Sequence, residues 1–240
     1  MPERTYEMPD LAAHYADYYA DPIRPWRALG AIDKAANVAR LWPDSAGDIG
    51  RVADIGCGEG SVIQCLAALG CGEEFVGFEI SYSALEMAER LSYDRPTTFI
   101  AYDGSRLPVP ARTFDLAILS HVIEHVAEPR SLLLEARRIA RNVFVEVPLE
   151  LNARTPSQFK WTNLGHINLY NQLTLRHLCQ SADLHIVAEQ VTCPSREIFE
   201  FHKGTIGTTK WAIKRGLLFV KPIATRLFTY HGSLLARSNA

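Results

Sequence analysis

A glycine-rich loop after a short apolar run is the feature that most constrains how this chain folds. Residues 51–55 (RVADI) have the length and composition of a buried strand, and the loop DIGCGEG (54–60) leads into a helical pattern over residues 61–69. Glycine permits a tight turn and a close approach of a ligand to the backbone. The free N–H groups at the start of the helix favour a carboxylate or a phosphate. The unit therefore predicts a ligand site at the carboxyl end of a sheet strand.

Strand-like and helix-like patterns alternate along the rest of the chain. Ser81 is placed to cap a helix that runs to Leu91. Strands separated by helices require parallel β–α–β units, so we expect an α/β fold with a doubly wound, mostly parallel sheet. Further predicted strands are residues 75–79, 97–101, 114–119, 142–147, 184–191 and 228–236, and further predicted helices are residues 132–140 and 173–181.

The loop departs from the dinucleotide-binding fingerprint G-x-G-x-x-G. Its third glycine, Gly60, comes one residue early, Ser61 stands where the fingerprint has glycine or alanine, and Asp54 lies two residues before the first glycine. These departures disfavour a nicotinamide-dependent oxidoreductase. Glu79, at the end of the second predicted strand, can accept hydrogen bonds from both hydroxyls of a ribose. The open alternative is that Glu79 only caps the helix that follows.

Polar residues also follow the next two predicted strands. Asp103 comes after the third strand, and its carboxylate can accept a hydrogen bond from an exocyclic amine such as that of adenine. The fourth strand leads into SHVIEHV (120–126), which brings two histidines and a glutamate to the same edge of the sheet. Together with Glu79, these residues favour an adenosine-containing ligand.

In this order and spacing, the sequence resembles the class I S-adenosylmethionine-dependent methyltransferases. The motifs that carry the resemblance are VADIGCGEG, FVGFEIS and AYDGSRLPVPARTFDLAILSHVIEHV, and the match covers residues 51–148. GHINLYNQLTLRHLCQSADL resembles the downstream helix and sixth strand of that family. The small-molecule group that includes the ubiquinone and menaquinone biosynthesis methyltransferases is the most similar. The resemblance implies a Rossmann-like fold of seven strands with an antiparallel final strand at residues 228–236, and S-adenosylmethionine as the cofactor.

The resemblance also implies a cofactor site built from the glycine loop and from the ends of the following strands. The implied contacts are Asp54 at the ammonium group; Gly56, Cys57, Gly58 and Gly60 along the methionine part; Glu79 at the ribose hydroxyls; Ile80 beside the adenine; Asp103 at the adenine amine with Gly104 next to it; and Ser120 and His121 below the sulfonium.

The implied reaction is an in-line transfer of the methyl group to a small-molecule acceptor, at oxygen or nitrogen. The sulfonium methyl is already activated, so the protein mainly aligns the reactants and excludes water. A base is needed only for an acceptor that arrives protonated, and the candidates are His121, His125 and His166. His121 is the best placed, whereas His125 and His166 have structural alternatives. A protein that binds the cofactor without transferring the methyl group is a further alternative.

Residues His121 to His125 read H-x-x-E-H, a zinc-binding pattern of one protease class. On a helix the two histidines would share one face. Here the pattern follows a parallel strand directly, which disfavours a protease, and we expect no metal. The open alternative is a divalent cation bound by His121, Glu124 and His125, as the resemblance to quinone-pathway methyltransferases implies.

The sequence divides into a cofactor-binding half and a substrate-side half within one expected domain, residues 1–240. Residues 1–45 are predicted to form an aromatic helical cap, residues 51–148 the cofactor-binding half and residues 149–240 the substrate-side half. The aromatic residues of the cap are Tyr6, Tyr15, Tyr18, Tyr19, Trp26 and Trp42, for which ordinary surface packing is the alternative.

The end of the sequence is basic. No aspartate or glutamate follows Glu200, and this stretch carries Lys203, Lys210, Lys214, Arg215, Lys221, Arg226 and Arg237. A solvated helix face explains such a run, and a weak contact with a membrane surface is the alternative. The net charge of the whole chain is −2, so we expect no nucleic-acid partner.

The cysteines and the first residues bear on the cellular compartment. The five cysteines are odd in number and none are spaced as C-x-x-C, which argues against a disulfide scaffold or a structural zinc site. The opening MPERTYEMPD has no pattern of a signal peptide. We therefore expect a cytoplasmic protein.

Overall fold

A seven-stranded sheet forms the centre of the protein, in the order β3-β2-β1-β4-β5-β7-β6. The structure is a computed structural model and describes residues 24–43, 47–155 and 165–238. The strands are β1 (Arg51–Ile55), β2 (Glu74–Glu79), β3 (Thr97–Ala101), β4 (Phe114–Ser120), β5 (Ala140–Pro148), β6 (Leu184–Thr192) and β7 (His231–Ser238). Strands β1 to β5 pair in parallel, and β7 runs antiparallel to both β5 and β6. The predicted fold class is confirmed.

Helices cover both faces of the sheet. They are α1 (Arg24–Leu41), α2 (Ser61–Ala68), α3 (Tyr82–Ala88), α4 (Pro129–Ile139), α5 (Gln172–Ser181), α6 (Arg196–Leu217) and α7 (Lys221–Leu227), with a 3₁₀ turn at Leu218–Val220 between the last two. In β4, Ala117 and Leu119 pack towards α4 and α5, whereas Leu116 and Ile118 pack towards α1 and α2. This alternation follows the two-residue period of a strand, and both faces are buried as parallel sheets require.

Two predicted helices differ from the structure at their ends. The helix predicted at 132–140 begins earlier, because Pro129 occupies its first turn, where a missing N–H costs nothing. It ends before Ala140, whose backbone is extended and already belongs to β5. The helix predicted to reach Leu91 ends at Ala88, and Ser81 caps it as expected.

The last strand is displaced from its predicted position at 228–236. Phe228 ends α7, and Tyr230 is fully buried in the core between the helix and the strand. The apolar residues before the strand therefore pack the helices, and β7 begins only at His231. The shift places His231 opposite Pro148, at the carboxyl end of β5.

The predicted aromatic cap is described only in part. Tyr6, Tyr15, Tyr18 and Tyr19 lie outside the described residues. Helix α1 carries the remaining part of the cap, and its buried residues Ala35 and Val38 pack on the sheet beside α2. Between β6 and β7, residues 196–227 form α6, the 3₁₀ turn and α7.

Candidate functional site

A cleft of about 1190 Å³ opens at the carboxyl ends of β1, β2 and β4. This is where open α/β sheets place ligands, and the volume suits a small-molecule cofactor together with an acceptor. All the predicted cofactor contacts except Gly60 line it, and so do all three predicted base candidates. A shallower hollow of about 600 Å³ follows β6, and no predicted site residue lines it.

The glycine loop takes a shape that requires glycine at its key positions. Gly56, Gly58 and Gly60 have φ angles of 73°, 54° and 78°. A Cβ atom on Gly56 would lie 2.7 Å from Val122 Cγ2. The N–H groups of Gly56 and Cys57 donate to the carbonyl of Phe78 at 2.7 and 3.1 Å, which ties the loop to β2. The backbone of the loop therefore borders the cleft directly, without side chains at Gly56 and Gly58.

Glu79 joins the end of β2 to this loop. Its Oε2 accepts the N–H of Gly58 at 2.9 Å, and its Oε1 accepts those of Ile80 and Ser81 at 2.8 and 2.9 Å. The side chain is only 6% exposed and lines the cleft. Glu79 thus supports the start of α3, as the capping alternative supposed, and also presents a fixed carboxylate to the cleft.

Asp54 has a buried oxygen without a hydrogen-bond partner in the described part of the chain. The residue is 3% exposed, lines the cleft, and its Oδ2 is the orphaned atom. Burial raises the pKa of Asp54 to about 7, Glu79 adds to this, and Lys34 on α1 opposes it. A buried carboxylate with an unused acceptor fits a cationic ligand group such as an ammonium.

The rim of the cleft beyond β3 carries the other predicted adenine contacts. Asp103 is exposed, and its Oδ1 accepts from the hydroxyl and the N–H of Ser105 at 2.6 and 2.9 Å. These hydrogen bonds hold the pKa of Asp103 below its usual value. Gly104 has a φ of 83° and packs near Ile80. Cys57 lies deeper, and burial raises the pKa of its thiol.

An ion pair that the sequence analysis did not anticipate links α1 to the loop. Glu59 is 5% exposed and accepts from Arg27 at 3.1 Å and from the hydroxyl of Ser61 at 3.0 Å. Helix α1 therefore covers the cleft from the side of the loop. Glu59 lies within the glycine loop, but no sequence pattern marks Arg27 as its partner 32 residues away.

On the other side of the cleft, His121 lies between two glutamates. Its Nδ1 is 3.2 Å from Glu124 Oε1, and its Nε2 is 3.5 Å from Glu146 Oε1. Burial and Lys34 act to lower the pKa of His121, but the two carboxylates outweigh them and the pKa is raised. Ser120 donates its hydroxyl to Glu146 Oε1 at 3.4 Å.

Glu146 and His231 are the functional candidates that the sequence analysis missed. Glu146 is fully buried on β5, and its Oε2 accepts from Asn37 and Ser233, each at 2.7 Å. The ring of His231 lies 4.7 Å from that of His121. A lone acid in the apolar run NVFVEV is a signal that could have indicated Glu146. No sequence signal indicated His231. The predicted strand began at residue 228, so His231 was expected within the strand and not at its start.

Burial contributes to the pKa shifts of both His231 and Glu146. It lowers the pKa of His231 to about 3, with the charge of His121 adding to the effect. Burial acts to raise the pKa of Glu146, but the adjacent imidazoles of His121 and His231 and the hydroxyl of Ser233 prevail and bring it down to about 2. Glu146 is therefore a fixed negative charge at neutral pH.

His125 and His166 form a separate pair. Their ring centroids are 4.7 Å apart, His125 Nδ1 lies 3.3 Å from the carbonyl of Gly165, and His166 Nδ1 lies 2.7 Å from Glu150 Oε2. Burial lowers the pKa of His125 to about 4, so this ring is neutral at neutral pH. The structure thus distributes the three predicted histidines over two groups.

The H-x-x-E-H segment is a turn rather than a helix. His121 has a φ of 59°, which no helix accommodates, and the N–H of His125 donates to Val122 at 2.9 Å. Asn168 fastens the turn by donating to the carbonyls of Ile123 and Val126 at 3.1 and 2.7 Å. The helical geometry of the zinc-protease pattern is therefore absent from this segment.

The basic stretch near the end of the sequence lies on α6 and α7, except for Arg237 on β7. Apolar side chains stand exposed among its lysines and arginines, with Phe219 94% and Ile206 66% exposed. Among the described residues, no helix combines the length and the apolar character needed to cross a membrane.

Comparisons with known proteins relate the chain to methyltransferases. Residues 26–189 match the family model described as "Methyltransferase domain". An uncharacterized methyltransferase of Mycolicibacterium vanbaalenii is 31% identical over 122 residues, covering 49% of this chain and 47% of its own length. A malonyl-[acyl-carrier protein] O-methyltransferase of Legionella pneumophila is 26% identical over 183 residues, covering 72% of this chain and 62% of its own. The chain thus spans about half the length of the first of these relatives.

A solved structure shares the fold. Phosphoethanolamine N-methyltransferase 2 of Haemonchus contortus, bound to phosphomonomethylethanolamine and S-adenosylhomocysteine, aligns with a TM-score of 0.65 at 17% identity. The alignment covers 94% of this chain and 59% of that one. At this level of identity the similarity concerns the fold alone.

Proposed function

The chain belongs to the methyltransferase-domain family, whose cofactor is S-adenosylmethionine, and we propose that it transfers the methyl group of that cofactor to a small-molecule acceptor. The observation that carries the proposal is the orphaned, buried Oδ2 of Asp54 beside the glycine loop. The acceptor atom that we propose is oxygen or nitrogen.

The residues of the cleft fit S-adenosylmethionine as follows. We assign Asp54 to the ammonium group, the loop of Gly56, Cys57, Gly58 and Gly60 to the methionine part, and Glu79 to the ribose hydroxyls. The assignment of Ile80, Asp103 and Gly104 to the adenine, and of Ser120 and His121 to the sulfonium side, rests on their positions in the cleft.

When bound, this cofactor supplies an electrophilic methyl group that needs no further activation. The chain contributes alignment, and good alignment provides roughly 7–11 kcal/mol of the barrier reduction. Helix α1 contributes Trp26 and Lys34 to the wall of the cleft and so keeps water out. The proton of a hydroxyl or ammonium acceptor must go to a neutral base.

We assign that base to His125 rather than to His121. The pKa of His125 is lowered to about 4, so its ring is unprotonated at neutral pH, whereas the pKa of His121 is raised. The Nδ1 of His125 faces the carbonyl of Gly165, so the proton is accepted at Nε2. The carboxylate of Glu124, 4.0 Å from that atom, stabilises the resulting imidazolium.

A second candidate is a peripheral membrane enzyme that methylates a lipid or a quinone. The exposed Phe219, Val220 and Ile223 next to Lys221 and Arg226 favour it, because apolar and basic side chains together bind anionic bilayers. Flotation with vesicles containing anionic lipid tests this candidate. Binding that high salt abolishes would support it, and no binding at low salt would reject it.

Calorimetric binding of S-adenosylhomocysteine and S-adenosylmethionine, beside NAD, tests the proposed cofactor. We expect the wild-type protein to bind the first two and not NAD. Glu79→Ala should weaken binding at least about 100-fold, because two charge-assisted hydrogen bonds of roughly 1.5–3 kcal/mol each are lost. Glu74→Ala is the matched control, since Glu74 begins the same strand and makes an exposed ion pair with Arg51.

Two outcomes would contradict the proposal. NAD bound more tightly than S-adenosylhomocysteine would assign a different cofactor. Equal losses in Glu79→Ala and Glu74→Ala would show that strand stability, rather than the carboxylate in the cleft, controls binding. Transfer of a labelled methyl group to a panel of hydroxyl and amine acceptors then separates an enzyme from a protein that only binds the cofactor.

A further inference from the structure

Three side chains from three adjacent strands meet on the histidine side of the cleft. His121 follows β4, Glu146 lies on β5 and His231 begins β7, and one ligand atom from each lies within 4.8 Å of the other two. We propose that His121 Nε2, Glu146 Oε1 and His231 Nδ1 form a binding site for a divalent transition-metal ion of the Zn²⁺ type. The expectation from sequence was a metal-free site.

The spacing of the three atoms suits such an ion. Glu146 Oε1 lies 3.5 Å from His121 Nε2 and 3.9 Å from His231 Nδ1. Ligand atoms about 2.0–2.2 Å from a tetrahedral Zn²⁺ are roughly 3.3–3.5 Å from one another. His121 Nε2 and Glu146 Oε1 already have this separation, and His231 Nδ1 is a few tenths of an ångström farther from the same oxygen.

Both imidazole nitrogens are unsatisfied without an ion. His121 Nε2 and His231 Nδ1 are buried and have no hydrogen-bond partner among the residues that the structure describes. Buried polar atoms in folded proteins normally have a partner, and a bound ion can take the place of one. A cation between the two nitrogens and the carboxylate would satisfy all three.

The polar atoms of these side chains that would not bind the ion have polar neighbours, as is usual for metal ligands. Glu124 lies 3.2 Å from His121 Nδ1, so a proton held on that nitrogen leaves Nε2 as the ligand. Asn37 and Ser233 both donate to Glu146 Oε2, each at 2.7 Å, whereas Oε1 accepts a longer bond of 3.4 Å from Ser120 and faces the two imidazoles. The outer contacts therefore orient the ligands toward one point.

The local charge also favours a cation. Glu124 and Glu146 are two completely buried acidic side chains, and both lie against the imidazole of His121. The charge of Lys34 on α1 reaches His121 and His231 and opposes a cation there, whereas the two buried acidic side chains favour one.

Glu124, His125 and His166 form a second group with a similar composition. In that group the unsatisfied buried atoms among the described residues are the two oxygens of Glu124, and neither imidazole contributes one, whereas each of the two histidines of the first group has one unsatisfied nitrogen. The first group is therefore the better site. His121 and His231 line the cleft, so the open position of the ion would face the acceptor; this role, unlike metal binding itself, rests on the proposed function.

Metal titration of the chelator-treated full chain tests the site, by calorimetry with Zn²⁺ and by the visible absorption of Co²⁺. We expect one equivalent to bind to the wild-type protein. His231→Gln should weaken binding by at least about 100-fold, and Glu124→Gln by about 10- to 100-fold as an outer-contact change. His166→Gln is the matched control and should leave the affinity within about threefold, because it belongs to the other group.

The same samples are checked for folding by circular dichroism, and for a rise in Tm with Zn²⁺ that His231→Gln should lack. No binding to the wild-type protein would overturn the proposal. Binding lost in His166→Gln and kept in His231→Gln would also overturn it, in favour of the second group. S-adenosylhomocysteine binding, measured without metal in each sample, keeps a failure of this site distinct from a failure of the proposed function.

Discussion

The two sides of the cleft bind by different means. On the loop side, residues 54–60 and Glu79 form a site from backbone N–H groups and one carboxylate that holds the loop. On the histidine side, buried imidazoles and carboxylates such as His121 and Glu146 form a network with few backbone contacts. A backbone site demands glycine at fixed spacing, whereas a side-chain site demands only that distant segments meet.

The largest expected effect tests whether the loop side depends on its backbone shape. Gly56→Ala should reduce the affinity for S-adenosylhomocysteine more than about 100-fold, because the new Cβ would lie 2.7 Å from Val122 Cγ2 at a φ of 73°. Gly70→Ala is the control, with a φ of 69° and nothing within 4 Å. It should cost about 1–2 kcal/mol of stability and leave binding unchanged. Wild-type affinity in Gly56→Ala would remove the distinction between the two sides.

An intermediate effect concerns Asp54, the buried carboxylate on the loop side that has an unsatisfied oxygen. Asp54→Asn should weaken cofactor binding about 10- to 100-fold at pH 8, because a charged hydrogen bond is lost. In the wild-type protein the affinity should fall as the pH drops below about 7, since Asp54 then takes up a proton. The fall is at most about tenfold per pH unit and should be absent from Asp54→Asn. Calorimetry between pH 6 and 8 measures both; a pH dependence that persists in the variant would assign the titration elsewhere.

The same substitution should stabilise the protein without cofactor. The pKa of Asp54 in the folded state is about 7, above its ordinary value, so the unfolded state releases the proton more readily. Stability is therefore lost as the pH rises toward 7, and Asp54→Asn should recover on the order of 2–4 kcal/mol at pH 8 and little near pH 4. Urea unfolding at the two pH values provides the measurement.

The smallest expected effect tests the hydrogen bonds that hold the turn on the histidine side in place. Asn168→Ala removes two hydrogen bonds to the turn and should cost about 1–2 kcal/mol of stability. Turnover should fall a few-fold, because His125 moves, while cofactor affinity stays within about twofold. Asn142→Ala loses a comparable bond to Asp115 at the opposite end of the sheet and should leave turnover unchanged. Equal losses of turnover in both variants would point to global stability instead.

The sequence predicted the loop side better than the histidine side for a physical reason. Asp54 and Glu79 each lie at the end of a strand that a local pattern identifies, and these two strands are neighbours in the sheet. Glu146 lies within an apolar strand, and its partners Asn37 and Ser233 come from α1 and β7. Only the sheet order brings these segments together, and no local pattern encodes it.

Local patterns also misplaced the strand that completes the histidine side. Phe228 and Tyr230 have the composition of strand residues, yet they pack the helices before β7. Tertiary packing overrides local propensity at such positions. The fold class is confirmed, whereas the roles of the predicted site residues stay predictions until the variants above are measured.

The position of β7 has a consequence for synthesis of the protein in the cell. It is the last of the seven strands to leave the ribosome, yet it lies between β5 and β6 and supplies His231. Until it is made, β5 has an open edge and β6 has no neighbour in the sheet. The glycine loop can therefore form on the nascent chain, while the opposite wall of the cleft must wait for the strand that closes it.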